Sequence, residues 1–184
     1  MIKDLVVIEP KIYSDSRGFF YEFFNRQQLL KCGIDEEFVQ GNHSKSNFGV
    51  LRGLHFQIQN SQGKLIRVLK GEILDVVVDL RKNSETFGKH FKIILSEENR
   101  KMLFVPKGFA HGFLTLRDNS EIEYLCTDFY SPQYDSGILW KDKDLDIDWE
   151  LEKYGLKEEE LIISEKDKNQ GTLKEFLEKG GEIK

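Results

Sequence analysis

This sequence predicts an all-β fold of sandwich or barrel type. Short apolar runs recur at roughly ten-residue spacing, with turn residues between them. Fourteen of the 184 residues are Phe, and aromatic side chains favour sheets. Strand-like alternation stops after Trp149, and a Lys- and Glu-rich segment follows.

Taken in order, residues 5–13 read as a first strand interrupted by Pro10, and Asp15-Ser16-Arg17-Gly18 as a turn. Phe19 to Asn25 reads as a second strand dense in aromatics, and Arg26 to Cys32 as a short helix stopped by Gly33. Phe38 to Gln57 is extended, with a break at Asn47-Phe48-Gly49. Leu65 to Leu69, Glu72 to Leu80, His90 to Leu95 and Met102 to Val105 follow as strands. Gly112 to Leu116 and Glu121 to Phe129 complete the series. Thr172 to Lys179 has the pattern of an amphipathic helix ended by Gly180-Gly181. Leu161-Ile162-Ile163 gives residues 150–184 an apolar stretch with which to fold back on the body. The whole chain, residues 1–184, reads as a single domain.

Composition narrows the function. A charged fraction of 32% argues against a membrane protein, and a net charge of -5 against a general nucleic-acid binder. The apolar run at the N-terminus is too short for a signal peptide or a membrane span, so the expected location is the cytoplasm. Cys32 and Cys126 lie far apart, form no CxxC pair and read as ordinary buried thiols.

Val50-Leu51-Arg52-Gly53-Leu54-His55-Phe56-Gln57, followed by Gln62-Gly63-Lys64, is the most informative stretch. Residues three apart on a strand lie on opposite faces, so Arg52 and His55 need a bend, placed at Gly53, to share one site. A base and two cations over an anionic substrate suit proton abstraction beside a carbonyl. Of the four histidines, His55 and His111 sit in Gly- and aromatic-rich contexts. The plainer reading of either is a hydrogen-bonded core histidine. His90, in Lys-His-Phe-Lys, reads as a surface residue. No His-x-His pair exists, which leaves a metal site without its usual ligand pattern. Arg17, near Phe20 and Glu22, could grip a nucleotide through phosphate, ring stacking and a polar contact, although a turn arginine is usually solvated. Tyr124 and Tyr130 fit packing more readily than chemistry. Asp75 shares a strand face with Val77 and Asp79, and a carboxylate there needs a partner such as a histidine.

The chain resembles the dTDP-4-dehydrorhamnose 3,5-epimerases over about residues 5–170. The resemblance rests on Asp-Ser-Arg-Gly-Phe-Phe-Tyr-Glu (15–22), Phe-Val-Gln-Gly-Asn-His-Ser (38–44), Val-Leu-Arg-Gly-Leu-His-Phe-Gln (50–57) and Gln-Gly-Lys-Leu-Ile-Arg-Val (62–68). Residues 71–81, Pro-Lys-Gly-Phe-Ala-His-Gly-Phe (106–113), Tyr-Ser-Pro (130–132) and Ile-Ser-Glu-Lys-Asp (163–167) complete it. It implies a jelly-roll, cupin-like β-sandwich with short helices mainly near the C-terminus, forming a homodimer without metal or organic cofactor. It also implies a dTDP-sugar substrate, with His55 as base paired with Asp167, Tyr124 as acid and Lys64 stabilising the enolate oxygen. His111, backed by Asp75, would lie near that oxygen or orient the site. Arg52 and Lys166 would meet the diphosphate, and Gln40, Asn42 and Tyr130 the nucleotide. Arg17, Phe20 and Glu22 would reach it from the neighbouring subunit. Two departures stand out. Gly41 replaces a common Asp, and Asp135 replaces a common Glu, which puts its base or sugar contact in doubt. The alternatives are an epimerase of a single centre, a ketoisomerase on the same scaffold, or a non-catalytic sugar-nucleotide binder.

Overall fold

Alternating apolar and polar side chains build two antiparallel sheets, each of five strands, that face one another. The computed structural model describes residues 2–183. In chain order its strands are β1 (Val6–Ile8), β2 (Tyr13–Asp15), β3 (Gly18–Phe20), β4 (Gln40–Ser46), β5 (Leu51–Gln57), β6 (Lys64–Lys70), β7 (Glu72–Asp79), β8 (His90–Ser96), β9 (Met102–Val105), β10 (Phe109–Thr115), β11 (Ser120–Cys126) and β12 (Asp135–Gly137). Its α-helices are α1 (Arg26–Lys31), α2 (Glu165–Lys168) and α3 (Leu173–Glu178). The first sheet runs β1-β9-β6-β11-β4 and the second β12-β5-β10-β7-β8, while β2 and β3 form a separate hairpin. This is the double-sheet jelly roll that the sequence predicts.

The period of two explains the three apolar layers. Ile66, Val68, Ile73, Val77, Leu103, Val105, Phe109, Phe113 and Ile122 fill the space between the sheets. The alternate residues Leu74, Val76, Val78, Ala110 and Leu114 face outwards from the second sheet. There they meet Trp140, Leu145, Trp149, Leu156 and Leu173 of the C-terminal segment. On the outside of the first sheet, Leu65, Met102 and Phe104 are covered by Leu29 and Ile34, at α1 and just beyond it. β7 is apolar on both faces because both faces are covered.

Polar stitches fix the C-terminal segment. The buried Asp142 carboxylate accepts from the backbone amides of Asp144, Leu145 and Leu173. Trp149 Nε1 donates to the Trp140 carbonyl. Parallel bridges tie Ile162 to Val50 and Gly171 to Ile138. α3 begins with a capping box of Thr172 and Glu175.

The structure departs from the sequence reading in several places. Residues 5–13 pair only over β1 and at Tyr13, where β2 begins, and the aromatic run from Phe19 pairs only through Phe20. Beyond it Phe23 and Phe24 find no strand partner. β10 begins at Phe109, three residues before the expected Gly112, and β11 ends at Cys126 rather than Phe129. Cys126 is buried, but Cys32 is exposed, because it caps the surface helix α1. His90 is half-buried at the start of β8 rather than fully on the surface.

Asp79 ends β7 fully buried. It accepts from the Arg81 backbone and guanidinium and from the Ser84 and Thr86 hydroxyls. Burial alone would raise its pKa, but these donors hold it at about 2, against 3.8 for an ordinary aspartate. A folded pKa below the unfolded one gives stability above the unfolded value that is lost as pH falls towards the folded value. The contribution is about 2 kcal/mol. Urea unfolding of the native chain and of Asp79→Asn should show a stability gap that narrows by about 2 kcal/mol between about pH 5 and pH 2.

Candidate active site

β5 carries Arg52 and His55, which a regular strand would turn to opposite faces. The ladder is irregular here. His55 pairs with His111 of β10 and Arg52 with Phe113, so three steps along β5 match two along β10. Gly53 adopts φ +126°, and a Cβ on it would lie 2.5 Å from Gly112 Cα. Two facing glycines permit this approach, and the bulge turns both side chains inward, as the sequence reading placed the bend. Arg52 Nε donates to Ser46 Oγ of β4, across to the other sheet.

His55 is half-buried and Asp167 is buried, and their Nε2 and Oδ1 atoms are 2.7 Å apart. Asp167 Oδ2 accepts from the Gly53 amide, and the Ser164 hydroxyl caps the Asp167 amide at the start of α2. Burial opposes the Asp167 charge. The bonds from His55, Gly53 and Ser164 and the histidine's own charge outweigh it, and its pKa falls below the aspartate norm. In the neutral ring, with Nε2–H donating to Asp167, Nδ1 keeps a lone pair. A second pair lies beside the first: His111 Nε2 is 2.8 Å from Asp75 Oδ2, and both residues are buried. Asp75 thus has the histidine partner expected of it.

A cavity of about 340 Å³ opens beside His55. Lys64, Tyr124, Gln40, Asn42, Tyr130, Asp135 and Lys166 line it. His55 comes from the second sheet, whereas Lys64 and Tyr124 come from the first, so they occupy facing walls. Lys64 keeps some surface open, but the packing around its ammonium lowers its pKa. Burial raises the Tyr124 pKa. At the mouth, Asp135 Oδ2 accepts from the Tyr130 hydroxyl at 2.9 Å and pairs with Lys166. The bond to Asp135 raises the Tyr130 pKa. The Tyr130 amide donates to Gln40 Oε1, and Gln40 Nε2 to Asn42 Oδ1.

Within one chain the structure leaves Arg17, Phe20 and Glu22 outside this cavity. They lie exposed on or beside the β2–β3 hairpin, where Arg17 pairs with Asp15. Arg52, His111 and Asp75 are not among the lining residues: Arg52 is exposed, whereas His111 and Asp75 are buried. The sequence reading assigned no role to Gln57, Ser61, Gln62 and Phe109, which line the cavity. Gln57 bonds the Asn60 and Phe129 carbonyls and the Ser131 amide, joining the two loops of the mouth. Its place at the end of the Arg52–His55 strand was the available signal. A larger groove beside Trp140 and Trp149 holds none of the histidines, and its Lys and Glu side chains pair with one another. Among the described residues, no three His, Cys, Asp or Glu side chains gather as a metal site, and no helix is long and apolar enough to cross a membrane.

A jelly roll with a polar pocket between its sheets places the protein in the cupin-like class. Within that class the chain belongs to the dTDP-4-dehydrorhamnose 3,5-epimerase family, whose model matches residues 1–175. It is 54% identical over 170 residues to the dTDP-4-dehydrorhamnose 3,5-epimerase of Methanothermobacter thermautotrophicus, covering 92% of this chain and 90% of that one. The crystal structure of dTDP-6-deoxy-D-glucose-3,5-epimerase from Legionella pneumophila, in complex with dTDP-4-keto-L-rhamnose, is similar at a TM-score of 0.91. It is 44% identical and covers 100% of this chain and 95% of that one. A 3'-monoepimerase from Streptomyces bikiniensis, in complex with dTDP-quinovose, is 30% identical with a TM-score of 0.87, covering 97% of this chain and 88% of that one.

Proposed function

We propose that this chain, acting as one jelly-roll domain, inverts C3 and C5 of dTDP-4-dehydro-6-deoxy-D-glucose to give dTDP-4-dehydro-L-rhamnose for dTDP-L-rhamnose synthesis. The observation that carries the reading is His55, oriented by Asp167, across a pocket from Tyr124 and Lys64. Relatives named for this reaction support it.

A hydrogen beside a ketone becomes acidic only where the resulting enolate is stabilised. Lys64 provides the positive charge at that oxygen, and His111, held by Asp75, lies close to it or orients the site. Removing one such donor typically costs ~100–1000-fold in rate. His55 takes the proton through Nδ1. Tyr124 returns one from the other sheet, which is what inversion requires. C3 and C5 both flank C4, so one base and one oxyanion site serve both centres.

Arg52 and Lys166 meet the diphosphate, with Lys166 exchanging Asp135 for phosphate. Gln40, Asn42, Tyr130 and Asp135 reach the nucleotide. Arg17, Phe20 and Glu22 come from a second copy in a homodimer. Two features support this. β4, which carries Gln40 and Asn42, is an edge of its sheet, and Phe19 and Phe20 stand 58% and 70% exposed on the hairpin. A polar surface and a substrate of cell metabolism fit a cytoplasmic enzyme.

Proton NMR of dTDP-4-keto-6-deoxyglucose in D2O, coupled to a 4-keto reductase with NADPH, tests the reaction. Deuterium should enter at both C3 and C5 and L-rhamnose should form. His55→Ala should lower the rate by ~100–10,000-fold while dTDP binding persists. Deuterium at one carbon alone would favour the single-centre alternative, and no exchange with retained binding would favour a binder.

The dimer has its own test. His55→Ala and Arg17→Ala chains, each weak alone, should regain activity when unfolded and refolded together, because a mixed dimer holds one intact site. Mixtures no more active than the separate variants would show that Arg17 does not complete the site of a second copy.

A further inference from the structure

We propose that Lys64 returns the proton that Tyr124 gives up, so that both inversions proceed on one bound substrate. This rests on the epimerase reading above. Each inversion moves one proton from carbon to His55 and one from Tyr124 to carbon. After the first, His55 is an imidazolium and Tyr124 a phenolate. The same two groups can act at the second carbon only when both are restored.

His55 has an outlet, because its side chain is 33% exposed and can pass a proton to water. Tyr124 is half-buried as well, and burial disfavours its phenolate. Lys64 is placed to supply it. Tyr124 pairs with Ile66 across β11 and β6, and Cys126 with Lys64, so Lys64 and Tyr124 are diagonal neighbours on one inward face. Long side chains reach across such a diagonal. Both line the same cavity. Among the described residues, the Lys64 ammonium makes no hydrogen bond or ion pair, unlike Lys166 at the mouth. Arg52 influences the Tyr124 charge, but a guanidinium does not release its proton.

The step balances. A Lys64 N–H bond breaks, the Tyr124 O–H bond forms, and the ammonium becomes an amine. Burial weakens the ammonium's hold on its proton and strengthens the phenolate's demand, and both shifts favour the transfer. The amine then regains a proton from water at the open mouth.

Single turnover with enzyme in excess over dTDP-4-keto-6-deoxyglucose, quenched with borohydride and resolved by NMR, tests the inference. The native chain should give the doubly inverted sugar. Lys64→Arg keeps the cation but not a transferable proton. The ratio of singly to doubly inverted sugar should then rise about tenfold or more. Added methylammonium should lower that ratio in Lys64→Ala. A Lys64→Arg variant that slows both inversions equally, with the ratio unchanged, would overturn the inference and leave Lys64 as an enolate stabiliser only. If Lys64→Arg does not fold, the methylammonium response of Lys64→Ala decides: no change in ratio overturns it. A native chain that inverts one centre or none would instead bring down the epimerase reading.

Discussion

The hydrogen bond between His55 and Asp167 joins residues 112 positions apart, and the rest of the structure makes it possible. β5 sets His55 facing inward only because Gly53 and Gly112 let two backbones approach closely. Asp167 reaches it only because the C-terminal segment lies across the outer face of the second sheet. Trp140, Trp149 and Leu156 anchor that segment by burial, and Asp142 fixes its turns. Apolar packing, which is not directional, brings α2 near. The Gly53 amide and Ser164 hydroxyl then align the carboxylate. The pair is thus a product of core packing at a distance from the pocket.

The two sheets divide the work by geometry. The second sheet carries His55, His111 and Asp75, with Asp167 brought to His55 by α2, and the first carries Lys64 and Tyr124. In the proposed reaction, a substrate between them would have the His55 imidazole at one face and the Tyr124 phenol at the other. Burial then tunes the first sheet's groups in opposite senses, weakening the Lys64 proton and tightening that of Tyr124. The mouth is organised separately. Asp135 gathers Tyr130 and Lys166, and Gln57 joins its loops, so the mouth holds a preformed ion pair.

Much of this was legible in the sequence where a physical period wrote it. β4 to β9 and α1 followed from alternation, turn residues and capping, and Gly53 was identified as the bend that reunites Arg52 with His55. β12 was not legible, because Asp-Ser-Gly carries no apolar run and pairs only as an edge. α2 spans four residues and is held by its Ser164 cap and by Asp167 rather than by amphipathicity. The aromatics after Phe20 mimic a strand, yet their composition favours sheet pairing that a single chain does not offer them. Gln57 escaped notice because its importance lies in three bonds to distant backbone, which no local pattern announces. The role of Asp167 came from resemblance, since spacing alone cannot join positions so far apart.

A crystal structure with a dTDP-hexose bound measures the central claim most directly. The account predicts the sugar ring between the sheets, with His55 Nδ1 facing C3 and C5 from one side and the Tyr124 hydroxyl from the other. The Asp167 bond should remain intact, and Lys64 should lie at the C4 oxygen. A ring with both side chains on the same face, or bound away from His55, would contradict it.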